Sequence, residues 1–101
     1  MTLDEYRVQV IEKLKACRDP ARARGQLAEV DLVLMNSRIS DRVQKTFWET
    51  LNNDLDVLAQ ESTLLLEKPA ATALSAVIAA AQTVIAQYRL LIASDQQNPG
   101  S

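Results

Sequence analysis

From Pro69 to Tyr88 the chain runs for twenty residues without a charged side chain, between Lys68 and Arg89, although 24% of all its residues are charged. Leu74, Val77, Ile78, Ala81, Val84, Ile85, Tyr88 and then Ile92 recur at helical spacing and form one broad apolar face. The far side is Thr72, Ser75, Ala76, Ala79, Thr83 and Ala86, small and uncharged. A helix without a charged side is buried on more than one side or crosses a membrane. A span needs about 20 predominantly apolar residues. The length fits, but between Ala70 and Gln87 eight positions are Ala and five are Thr, Ser or Gln. Ala contributes little to insertion and polar groups oppose it. The stretch is therefore expected to be a central helix whose small face lets another helix approach closely. It should run from Lys68-Pro69 to about Ser94, leaving 96–101 as a disordered tail on a single domain of residues 1–95.

The rest of the chain is written for helices that such a segment can pack against. Thr2-Leu3-Asp4-Glu5 is a capping box, and Leu3, Tyr6, Val10, Leu14 and Cys17 follow on one face. A first helix is expected from Leu3 to about Arg18. Asp19 as N-cap and Pro20 at the first helical position start a second, over about Ala21–Ser37. It carries two apolar stripes: Ala23, Leu27, Val30 and Leu34, and nearly opposite them Ala28, Leu32, Met35 and, should the helix continue that far, Ile39. A surface helix needs only one. The second helix is thus central, or its second stripe meets another protein.

Ser40 caps a third helix, expected over Asp41–Glu67. Val43, Phe47, Leu51, Leu55, Leu58 and Leu65 mark its apolar face, with Arg42, Glu49, Asn53, Asp56, Gln60 and Glu67 opposite. Asn52-Asn53-Asp54 is a poor helix interior and a place for a kink. Lys45 has Asp41 and Glu49 each four residues away, a source of modest support. Short links favour antiparallel neighbours, so the expected fold is all-α, an antiparallel bundle of about four helices, or a three-helix version of it.

Charge and composition exclude several functions. The formal net charge is −2 and the pI about 5.0, so nothing argues for a nucleic-acid partner. There is no histidine, and Cys17 is the one cysteine, which suits a small buried side chain in a reducing compartment. No glycine-rich phosphate loop, Cys/His cluster or nucleophile with an evident base is present. Asp54 and Asp56 are two apart on a helix and do not face each other. An enzyme is not expected, nor a cofactor or metal. The opening MTLDEYR is acidic where a signal peptide is basic, so the cytoplasm is the expected location.

What remains is surface. Residues 1–24 hold six basic and four acidic side chains, whereas 51–67 hold Asp54, Asp56, Glu61 and Glu67 and no base. An acidic helix face of this kind is either simply solvated or meets a basic groove on a partner. Trp48, beside Phe47, is either a core residue or an interface anchor.

Met1-Thr2 with Glu5-Tyr6, Ala28-Glu29 leading an apolar helix, and Ser40-Asp41-Arg42 before a long third helix resemble a known family. These are the small helical immunity proteins that neutralise NAD(P)+-glycohydrolase effectors of bacterial type VI secretion systems. The Ala-rich fourth helix departs from that pattern. The resemblance implies a non-catalytic protein that binds the toxin domain of a cognate effector in the cytoplasm and covers its active site. A site for an anionic dinucleotide suits an acidic plug. On helical phase, the partner-binding residues are then Glu49, Asn53, Asp56 and Gln60, flanked by Asp54 and Trp48. The other reading of the same surfaces is a homo-oligomeric helical adaptor or secretion chaperone, dimeric through the second or fourth helix.

Overall fold

A computed structural model of the chain describes residues 2–97, with side chains through Ile92. It is an all-α bundle of four helices: α1 (Leu3–Ala16), α2 (Pro20–Asn36), α3 (Asp41–Leu65) and α4 (Lys68–Gln97). Of the expected tail, 98–101 lie outside the described residues, and the α4 backbone continues helically past Ser94.

The ends follow from local chemistry. The Thr2 hydroxyl accepts from the Glu5 amide at 3.2 Å, which caps α1. The second half of the capping box does not form: the Glu5 carboxylate accepts from the Thr2 hydroxyl, not from its amide. The α1 helix stops at Ala16 rather than Arg18, because Cys17 turns to extended backbone ahead of Asp19-Pro20. Asp19 accepts from the Ala21 amide at 3.0 Å and Pro20 opens α2. Ser40 accepts from the Val43 amide at 3.3 Å and starts α3. Leu66 is extended, so α3 ends at Leu65 and Pro69 falls in the first turn of α4, where its missing N–H costs nothing. Asn52-Asn53-Asp54 does not interrupt α3.

Consecutive helices alternate in direction, but packing is not simply between neighbours in sequence. The main contacts are α3 with α4 and α2 with α4, and α1 lies on α3 and α4. The α3/α4 pair is antiparallel, with Arg89 beside Glu49 and Gln82 beside Asp56. By contrast α1 runs alongside α3 in the same sense: Tyr6 stacks on Phe47, Arg7 reaches Asp54, and Lys15 lies near Glu61. The C-terminal halves of α2 and α4 also lie side by side, where Asp31 and Met35 share a groove with Tyr88 and Leu91. The uncharged helix is thus the hub that meets all three others.

Burial follows the expected stripes closely. Val10, Leu14 and Cys17, then Ala23, Leu27, Val30 and Leu34, then Phe47, Leu51, Leu55 and Leu58, then Leu74, Val77, Ile78, Ala81, Ile85 and Ile92 form the core. Two expected core residues of α3 are exposed, Val43 at 39% and Leu65 at 79%. Steps of four residues overshoot a helical turn by about 40°, so Val43 drifts off the face that Leu51 centres. Leu65 has the right phase, but α3 is 25 residues long and α1 only 14, so nothing covers its last turn. Taken by length and composition, α4 from Lys68 to Ile92 also fits a membrane span, at a mean hydropathy of 1.6. Here its apolar face is packed inside the bundle, while Thr72, Ser75, Ala76, Ala79, Thr83 and Ala86 are exposed and no helix of this chain covers them.

Among the described residues one backbone position is strained. Arg38, just past α2, has φ 56°, a left-handed conformation that glycine adopts without cost. Arg38→Gly should raise stability by about 0.5–1 kcal/mol in urea unfolding, and Arg38→Val should lower it by more.

Candidate partner-binding surface

The outward face of α3 was expected to carry the site, and the structure separates the expected residues into three groups. Asn53, Asp56 and Gln60 are exposed on one strip, and Glu49 lies half-buried at its upper edge. Asp54 stands on the other edge, facing α1. Trp48 does not belong to the surface at all. It is fully buried, with Phe47 edge-on at 5.5 Å between ring centroids and Tyr88 at 4.9 Å. The core reading of Trp48 holds and the interface-anchor reading is corrected. The residue lies on the α4 side of the Phe47–Leu51–Leu55 stripe, and the hub helix closes over it.

Long-range partners temper the acidity of this face. Arg7 donates through Nε to Asp54 at 2.8 Å and through Nη1 to Asp4 at 2.7 Å. Burial works against the Arg7 charge, but the hydrogen bonds and charges of Asp4 and Asp54 outweigh it and raise its pKa. Glu49 pairs with Arg89 at 3.4 Å instead of with Lys45. Asp56 accepts from Gln82 Nε2 at 2.6 Å. Half-exposed pairs of this kind are worth about 0.2–1 kcal/mol each. Asp56 and Glu61 are left as exposed carboxylates without an ion pair among the described residues.

Apolar side chains sit among these polar groups. Val57 is 53% exposed and Val8, across the α1/α3 groove, is also 53% exposed. With Ile11 and Leu58 they floor a groove of about 290 Å³, edged by Arg7, Lys15, Asp54 and Glu61. It adjoins a smaller recess of about 220 Å³ lined by Arg18, Leu65, Leu66 and Leu74. Leu64, at 84% exposure, extends the apolar strip along α3. An apolar centre within a polar rim is the composition of a protein-binding patch. Val8, Val57 and Leu64 were missed in the sequence because they lie off every core stripe. That displacement was itself the available signal.

Among the described residues no three His, Cys, Asp or Glu side chains are grouped to hold a metal ion. Compared with known proteins, the chain matches no family model, and no curated protein or solved structure is detectably similar to it.

The burial of Trp48 gives a direct check. Trp48→Ala should cost about 3–5 kcal/mol in chemical denaturation. The native protein's tryptophan emission should be blue-shifted and shielded from acrylamide. An exposed anchor would show neither.

Proposed function

We propose that the chain is a non-catalytic binding protein that uses the outer face of α3 and the adjoining α1/α3 groove to hold another protein. The observation that carries this is the exposed Val8–Val57 groove, edged by Arg7, Lys15, Asp54 and Glu61, beside the exposed polar strip of Asn53, Asp56 and Gln60 on α3. In the form the family resemblance suggests, the partner is a secreted antibacterial toxin domain, of the NAD(P)+-consuming kind, bound and blocked in the cytoplasm. A site built for an anionic dinucleotide is basic, so carboxylates such as Asp56 and Glu61 complement its rim. Val57 and Leu64 supply the desolvated centre that a tight complex requires. The protein would act by occupying the site and would need no chemistry of its own.

A second reading is supported by a different surface. The second stripe of α2 is solvent-facing, with Leu32 58% and Met35 60% exposed. That exposure favours a self-associating helical adaptor or secretion chaperone.

The test is co-expression with the candidate toxin encoded beside this protein, scored for rescue of growth and for co-purification. Asp56 is exposed and its one tertiary bond is to Gln82, so Asp56→Lys should lower stability by no more than about 1 kcal/mol. It should weaken the complex by about tenfold or more and make its association less sensitive to salt. Rescue and co-purification by Asp56→Lys and Gln60→Lys at wild-type levels would remove the α3 face from consideration.

A further inference from the structure

We propose that two copies of this chain pair through the outer faces of their α2 helices, antiparallel about a two-fold axis that passes between Gly25 and Ala28. The inference deepens the self-associating reading and is independent of the toxin-binding face.

A two-fold interface must be complementary to itself. The outer stripe of α2 has this property in size. Ala21, Gly25 and Ala28 make a small half, Leu32 and Met35 a bulky half, and all five are exposed. Placed antiparallel with residue 21 opposite residue 32, Leu32 of each helix lies on Ala21 of the other, and Met35 reaches past the start of the partner's α2 at Pro20. Gly25 then faces the partner's Ala28 at the axis, where small residues permit the closest approach. A side-chain carbon added at Gly25 would meet nothing within 4 Å, so the fold of the chain itself does not require glycine there. In a helix interior that glycine is roughly 0.5–1 kcal/mol worse than alanine. Close approach of a second helix gives it a use.

The same stripe is complementary in charge. Arg22 and Glu29 lie on one flank, Arg24 and Asp31 on the other, each acid seven residues after its arginine. Antiparallel helices bring like flanks together, so each arginine meets the partner's acid on its own flank. The axis relates each pair twice. In this register the pairs are offset by about 3 Å along the helix, within reach of an arginine. None of these four residues is in an ion pair within its own chain among the described residues. Burial beside Tyr88 pushes the Asp31 carboxyl up from its ordinary range, so a guanidinium from outside would relieve it. Because α4 lies between α2 and α3, the face proposed for the toxin stays open in the pair.

The strip is only about 25 Å long, smaller than a permanent interface, so the pair is expected to be a weak, concentration-dependent one. Sedimentation equilibrium should show the mass rising from the 11.2 kDa of one chain toward twice that value as concentration increases. Arg24→Glu should weaken the pair by about tenfold, and Leu32→Lys should abolish it, each with an unchanged circular-dichroism melt. Arg24→Glu combined with Asp31→Arg restores opposite charges across the axis and should recover most of the affinity. A strict monomer up to about 1 mM would overturn the proposal. So would a dimer indifferent to Leu32→Lys, and failure of the charge swap to rescue would overturn the antiparallel register. Toxin rescue by these α2 variants should be normal, which separates failure here from failure of the α3 site.

Discussion

The bundle depends on one run of aromatic contacts. Tyr6 of α1 stacks on Phe47, Phe47 meets Trp48 edge-on, and Trp48 lies against Tyr88 of α4. These are all four aromatic residues of the chain. They join three helices at one level, where the buried Phe47 and Trp48 and the partly buried Tyr6 and Tyr88 remove apolar area from water and add about 0.5–1.5 kcal/mol per pair beyond that area. Above and below this level the packing is aliphatic and adaptable. At this level the rings fix the register of α1 and α4 against α3, and the Arg7–Asp54 and Glu49–Arg89 pairs follow from that register.

The second constraint is the inequality of helix lengths. The α3/α4 hairpin is long, and α1 and α2 are short; α4 meets all three partners while α2 and α1 barely meet each other. A bundle built in this way cannot cover all sides of α2 or the last turn of α3. Leu32, Met35, Leu64 and Leu65 are exposed as a consequence of topology. The uncovered positions are where the chain has spare apolar surface, and surface of this kind is what association requires.

Much of this was legible in the sequence because helical burial is periodic. The stripes Ala23–Leu27–Val30–Leu34 and Phe47–Leu51–Leu55–Leu58 are core because their spacing keeps them on one face. The caps at Thr2, Asp19 and Ser40 were legible for the same reason, being local chemistry. What periodicity does not carry is which helix covers which. The sequence shows that α2 has two stripes, but only the packing shows that Ala28–Leu32–Met35 is the uncovered one. Trp48 illustrates the same limit. Its phase puts it at the edge of a stripe, and edge residues are buried or exposed according to the neighbour, here α4. The outer residues Asn53, Asp56 and Gln60 are exposed as their phase predicts because α3 stays helical through Asn52-Asn53-Asp54. Arg7, Gln82 and Arg89, the partners of Asp54, Asp56 and Glu49, come from other helices and lie beyond any local pattern.

These limits bear on what the uncharged segment of α4 is for. Its apolar side serves as the hub of the core, which accounts for the absence of charge on that side. Its small outer side is solvent-facing, and alanine there satisfies helix propensity without needing a partner. The α2 stripe differs. It combines exposed Leu32 and Met35 with Gly25, which lowers helix propensity, and with arginine–acid pairs at matched spacing on both flanks. A solvated helix needs none of these, and their joint presence on one face is what distinguishes α2 from α4. The uncharged segment Pro69–Tyr88 is therefore a folding device, and the surfaces suited to meeting other molecules are the two that α4 leaves uncovered, on α3 and on α2.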